Sequence, residues 1–407
     1  MKVPVTTWLR NIPRPYWTLS SVEFMFWFAT AAGNYLTVFL QKQGFVAAQV
    51  GFINAVNSFI TILATPFWGM MADKIRSIRK VFVFCMGIAI VLWAFIPASS
   101  RIQAGPVMLM FLVIPIITFF RNPASSLLDA FVVQRSDLDR VDYGHVRLWG
   151  SVSFAIMSIA LSAFLPRIGV EISFYLYGLT FIPLLIIMGR MKEPDVPGPR
   201  KSLSFRQMGF GRLFKNYYLC TFMIFMVFLQ IPVNSSLSFV PFLIADVGGD
   251  TALFGLFAGY KALLEIPMLL LMRRLRRKFP LPLVLASACL FFGTEALLYS
   301  QADTLIKIFF IQTFHGLGGG LLIGAAANYV YSLAPPGLNS TAQAVYGAAA
   351  SIAAIIGNLG GGRLIAVIGI RPFYQVIFVV VFCAMAYFIL SLLFGIRVLK
   401  KAIPFSR

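Results

Sequence analysis

Charge is what this sequence has least of: 12% of its residues are charged, and only 14 of those 407 residues are acidic. So little polar surface cannot cover a water-soluble globule of this size, which excludes an ordinary soluble enzyme or binding domain. Cysteine is scarce too. Cys85, Cys220, Cys289 and Cys383 lie inside apolar blocks without paired spacing, so neither a disulfide framework nor a zinc site is expected. No GxxxxGK[ST], HExxH or CxxC pattern occurs, and no clustered catalytic set is visible. The expectation is therefore no enzyme, no catalytic residues, no metal and no nucleotide cofactor, with energy drawn from a proton gradient or from the gradient of the solute itself.

What is abundant is apolar matter: 59% of the chain, in long blocks between Trp17 and Leu399. Each block approaches or exceeds the roughly 18 residues that cross a bilayer as helix, whereas a membrane barrel would show short alternating segments. The blocks fall at 17–41, 49–72, 81–99, 106–133, 145–165 and 171–190, then at 216–246, 251–272, 281–300, 304–333, 341–368 and 372–399. This predicts an all-α membrane protein of twelve transmembrane helices in two six-helix bundles, 1–190 and 216–407. They are joined by a cytoplasmic linker, 191–215, where proline, glycine and charge interrupt the apolar pattern. The net charge of +20 could suggest nucleic acid, but the bases sit between the spans and form no face interleaved with exposed aromatics. Lys2, Arg10, Arg14, the stretch 74–80, Arg135, Arg140, the linker, the stretch 273–278, Arg397, Lys400 and Lys401 all fall in alternate loops. By the positive-inside rule both termini are cytoplasmic. A multi-pass protein of a bacterial inner membrane follows, a monomer whose partners are lipid and a small-molecule substrate.

Ionisable side chains inside hydrocarbon are costly, so each is a functional candidate. They are Glu23, Arg121, Asp129, Arg147, Lys261, Glu265, Glu295, His315 and Arg363. Asp129 and Arg147 lie on consecutive antiparallel spans; a carboxylate and a forked guanidinium facing a wet cavity can hold hydroxyls or an anion, and can equally clamp two helices. Burial of a carboxyl in an apolar pocket favours its neutral form, which makes Glu265 or Glu295, with His315, candidates to load and release a proton. Lys261, four residues before Glu265, can instead hold that carboxylate charged. Glu23 and Arg363 either face the interior or snorkel to the interface, and Arg121 serves either the cavity or the outer half of its helix. The glycine runs 315–320 and 357–362 serve tight packing or a hinge. Gly69, Asp73 and Lys74 end the second span as a conformational latch, with Gly69 allowing close helix contact.

The stretch Gly69-Met-Met-Ala-Asp73-Lys74, followed by Arg79 and Lys80, resembles the signature between helices two and three of the major facilitator superfamily. Within it, Leu128-Asp129-Ala130-Phe131 and Tyr143-Gly-His-Val-Arg147-Leu-Trp-Gly resemble the branch of lactose permease and its oligosaccharide and phenylpropionate permease relatives. The resemblance implies sugar binding at Asp129 and Arg147, a ring stacked on Phe154, and a further match at Asn122. It implies a coupling role for His315. The second half departs from that pattern: Gly318 replaces a carboxylate, Glu295 an arginine and Ala350 a lysine; Asn234 lies near a missing acid; and the helix-eight acid is Glu265. The expected function is proton-coupled symport of a small polar solute, a sugar or oligosaccharide, by alternating access. The alternatives are an exporter or importer of organic anions, nucleosides or siderophore-like compounds, with Arg121, Lys261 and Arg147 serving an anion, or a transporter-shaped receptor.

Overall fold

The computed structural model describes residues 14–104, 107–191, 215–335 and 338–400. Most of the linker, and the basic residues Lys2, Arg10 and Lys401, lie outside the described residues. The apolar blocks are helices throughout. In order they are α1 (Arg14–Ala32), α2 (Leu36–Lys42), α3 (Ala47–Ile75), α4 (Ile78–Ser99), α5 (Met110–Arg121), α6 (Ala124–Asp139), α7 (Tyr143–Ile168) and α8 (Ile172–Arg190). The second half contains α9 (Tyr217–Asp246), α10 (Phe254–Lys278), α11 (Leu281–Ser300), α12 (Leu305–Leu333), α13 (Asn339–Ile368) and α14 (Ile370–Arg397). Among the described residues 11 helical segments are long and apolar enough to cross a membrane, α5 and α6 counting as one. The expected first span, 17–41, falls on α1, the 3-10 turn Gly33–Tyr35 and α2, which are not among those eleven. Large apolar side chains such as Ile306, Leu179 and Val367 stand exposed on the outside, a surface that lipid solvates and water does not.

The fourth span differs from expectation. It starts later, at Met110, because Gln103–Ala104 (β1) pairs antiparallel with Val107–Met108 (β2) in a two-residue hairpin. It breaks at Asn122-Pro123, where proline lacks an amide hydrogen to donate, and resumes as α6 to Asp139. The Arg135–Asp139 pair, 2.8 Å apart at i,i+4, supports that last polar turn.

The described residues form two compact units, one of those up to Asn34 and from Leu63 to Met191, the other of those from Tyr35 to Ile62 and from Lys215 onward. In the first, α1 packs on α7 and α8, and α4 on α5, α6 and α8, around Phe26, Phe82, Trp93, Phe174, Tyr177 and Phe181. Arg121 is held there. Its Nε donates to the Tyr177 hydroxyl (3.2 Å), an Nη donates to the Gly33 carbonyl (3.2 Å), and the guanidinium lies 4.2 Å from the Trp93 ring centroid. The ambiguity over this residue resolves toward a tie between the turn that follows α1 and the helices α4, α5 and α8.

In the second unit the segment 35–62 packs on α9 and α13. A Cβ on Gly362 would lie 2.5 Å from the Ala47 carbonyl oxygen, and one on Gly357 2.5 Å from that of Ile231. Lys42 pairs with Asp250 at 3.1 Å. Partial burial alone would raise the Asp250 carboxyl, but the Ala252 amide and the Lys42 ammonium bring it below its ordinary value. The first glycine run is a packing seam. Gly316 and Gly320 face α10 so closely that a Cβ would lie 2.7 Å from Leu264 Cβ or 2.6 Å from Met268 Cβ. Gly320→Val is therefore expected to destabilise by about 1–3 kcal/mol or more, as overpacking does, lowering the melting temperature of the purified protein. Gly360→Ala, which meets open space, is the matched control.

Gly69 is not where close approach occurs. Among the described residues a Cβ there meets nothing within 4 Å, against the expectation of a helix contact. Asp73 and Lys74 are exposed, and the chain reverses between α3 and α4 over two residues, Arg76 in the left-handed region (φ 56°) and Ser77, whose hydroxyl accepts from the Lys80 amide. The member of the motif with a firm structural role is Arg79, whose guanidinium donates to the carbonyls of Gly189 (2.8 Å) and Met191 (2.7 Å) and so closes the C-terminal end of α8.

Candidate functional site

The sequence places two groups of ionisable residues inside the bundles, one in each unit. In the first, α7 begins at an N-cap, Asp142, whose carboxylate accepts from the His145 amide, directly after Arg140 ends α6 in the left-handed conformation (φ 55°). This short turn sets α6 and α7 antiparallel and brings Asp129 and Arg147 to the same level. Arg147 Nε lies 4.0 Å from Asp129 Oδ1 and 3.9 Å from Glu23 Oε2, so one guanidinium serves two carboxylates. Both separations are Coulombic and too long for hydrogen bonds. The hydrogen bonds come from elsewhere: the Tyr143 hydroxyl donates to Asp129 Oδ1 (3.0 Å), and Trp27 Nε1 donates to Glu23 Oε2 (3.0 Å).

Trp27 also lies beneath the guanidinium, 4.2 Å from ring centroid to Cζ, and meets the Phe154 ring edge-on at 6.5 Å. Gly150 makes room for this stack, since a Cβ there would lie 2.5 Å from Trp27 Cδ1 and 2.7 Å from an Arg147 nitrogen. The Asp129 and Arg147 side chains are 41% and 32% exposed, while Glu23 is fully buried. The cluster thus gathers an acceptor, a forked donor and aromatic rings on partly exposed side chains, with a second carboxylate behind them. That is the equipment to hydrogen-bond vicinal hydroxyls while stacking on a sugar ring.

Snorkelling by Glu23 is overturned: the residue points into the bundle. Trp27, Tyr143 and Gly150 are the members that the sequence reading gave no role, and Glu23 is the one that it left open between interior and interface. The legible signal was Glu23 and Trp27 at i,i+4 on one helical face. Asn122 lies at the α5–α6 break, its backbone N–H donating to the Thr118 carbonyl (3.1 Å).

The second group spans α10, α11 and α12. The four-residue connection between α11 and α12 makes them an antiparallel pair, and Glu295 meets His315 across it. His315 Nδ1 lies 3.0 Å from Oε1 and 2.9 Å from Oε2, with both side chains almost wholly buried. Phe292 covers the imidazole edge at 5.4 Å. The same heavy-atom geometry serves an N–H donating to a carboxylate and a carboxyl O–H donating to a neutral imidazole, so a proton can reside on either partner. Nearby, the buried Tyr299 ring lies 5.0 Å from that of Tyr374, whose hydroxyl donates to the Ser236 carbonyl (3.1 Å).

Glu265 is separate from this pair. It lies against Gly319, one turn along α12 from His315, and is bridged by Lys261 at 3.5 Å. Asn234 spends its amide on the Gln230 carbonyl of its own helix (2.8 Å). Arg363 is exposed near the end of α13.

The sequence is 26% identical over 334 residues to maltose permease of Geobacillus stearothermophilus, spanning 81% of this chain and 82% of that protein. It is 27% identical over 161 residues to sucrose permease of Escherichia coli, 37% of each protein. The fold is similar to that of a point mutant of the nucleoside transporter NupG, with a TM-score of 0.80 at 15% identity over 93% of this chain and 100% of that one. The sequence model described as "MFS_1 like family" matches residues 16–376. The chain therefore belongs to the MFS_1 like family and is a multi-pass membrane transporter with the major facilitator fold, not an enzyme.

Proposed function

We propose that this transporter carries a sugar or short oligosaccharide together with protons by alternating access, with both termini in the cytoplasm. The observation that supports the sugar reading most is the half-exposed Asp129–Arg147 pair framed by Tyr143, Trp27 and Phe154, in a chain with maltose and sucrose permeases among its relatives. Asp129 and Arg147 engage hydroxyls and Phe154 takes the ring. The buried Glu295–His315 pair supports proton coupling at that site in preference to Glu265, which already has Lys261 as an ion-pair partner at 3.5 Å. Gly69, Asp73 and Lys74 complete the cycle as the latch, their exposed turn free to take a partner in another conformation. The distribution of basic residues supports the orientation.

An organic-anion carrier is less well supported, since Arg121 is occupied by Tyr177 and Gly33 and Lys261 by Glu265. Uptake into vesicles under an imposed inward proton gradient tests the reading directly. Radiolabelled maltose or sucrose is expected to accumulate and to lose accumulation on addition of a protonophore. Accumulation of a carboxylate or a nucleoside from the same panel, with neither sugar moving, would contradict it.

A further inference from the structure

The first unit carries a charge imbalance. Glu23, Asp129 and Arg147 supply two acids and one base, and the base hydrogen-bonds to neither acid at 3.9 and 4.0 Å. Of the two Glu23 oxygens, Oε2 accepts from Trp27, while Oε1 is buried with no hydrogen-bond partner among the described residues. An ionised carboxylate with a bare oxygen in a closed apolar wall is expensive, and a shared cation at Coulombic distance offsets only part of that cost.

The groups facing Glu23 can be named from every helix packed on α1. From α6 comes Asp129; from α7, Arg147 and Tyr143, the latter turned to Asp129; α8 meets α1 near this level with an apolar ring, Phe181 on Phe26. On α1 itself there is Tyr16, whose hydroxyl accepts from Trp149 Nε1. Among these groups Arg147 is the one base near Glu23. A single proton would cancel the excess charge.

We propose that Glu23 is a second proton-binding site, in the first unit, with Oε1 as the oxygen that takes the proton and Arg147 as the link to the solute groups. Once Glu23 is neutral, Arg147 pairs with Asp129 alone, and both turn their remaining hydrogen-bonding capacity to the solute. Protonation then favours solute binding, and by reciprocity bound solute favours protonation. This second step rests on the reading that Asp129 and Arg147 hold the solute; the proton site itself does not.

Infrared difference spectroscopy of the full-length protein in lipid nanodiscs, stepped from alkaline to acidic pH without any sugar, reads the proton directly through the carboxyl C=O stretch. A band present in wild type and in Glu295→Gln but missing from Glu23→Gln is the expected result, accompanied by loss of a pH-dependent change in Trp27 emission. Should Glu23→Gln fold poorly, Glu23→Asp is expected to keep a carboxyl band displaced in frequency. Identical spectra for wild type and Glu23→Gln would overturn the proposal, and so would a wild-type band that vanishes when sodium replaces choline, which would make the site one for sodium. Failure of the sugar reading would leave the band unchanged, so the two can be told apart.

Discussion

His315→Leu is expected to lower stability by about 3–5 kcal/mol, the cost of leaving a buried charge without its partner, and to abolish gradient-driven accumulation. Glu295 is 2% exposed, and the hydrogen bonds its carboxylate makes in the structure are to His315 Nδ1. Removing the imidazole strands the carboxyl between α11 and α12, beside Phe292, and takes away the hydrogen bonds that it makes in the structure. The two effects separate in Glu295→Gln. The amide is isosteric, can still bond to His315 and leaves no orphan charge, so its melting temperature should stay close to wild type. It cannot ionise, so uphill uptake should fall by two orders of magnitude or more while exchange of solute down its own gradient persists. Thermal unfolding in detergent, set beside uphill uptake and exchange in the same proteoliposomes, checks both. Full uphill uptake by Glu295→Gln would remove that residue as the carrier and return Glu265 to consideration.

Arg147→Met is the second large effect. It removes the cation from two carboxylates at once, and destabilisation of about 3–5 kcal/mol is expected, with loss of solute binding. Adding Glu23→Gln to this variant removes one of the stranded charges and should restore about 1–3 kcal/mol of stability, an interaction energy typical of residues in one network. Solute binding should not return, because the forked donor is still missing. A double-mutant cycle on melting temperature measures the coupling; strict additivity would show that Glu23 and Arg147 do not interact.

Much of this was legible beforehand for a simple reason: apolar blocks separated by basic turns define helices that have no other way to satisfy their backbone in lipid. The same blocks hide rotation about the helix axis. A span that is apolar on every face gives no amphipathic stripe from which to read which side meets a neighbour. Glu295 and His315 were therefore identifiable as costly residues but not as a bonded pair, and the depth of Glu23 could be read but not its direction. Arg121 was undecidable because its partners, Tyr177 and Gly33, stand 56 and 88 residues away in sequence. The glycines illustrate the converse. The run 315–320, open in sequence between tight packing and a hinge, places Gly316 and Gly320 in a packing seam against α10, whereas Gly69, expected to allow close helix contact, faces open space here.

The central claim is that solute and proton move together through a chain whose ionisable groups gather in two clusters. Recording the pH of a weakly buffered suspension of de-energised vesicles as maltose is added tests it most directly. Alkalinisation of the medium that follows sugar entry, disappears with a protonophore and is absent in Glu295→Gln is the predicted result. Maltose entry at an undiminished rate with no change in external pH would contradict the account.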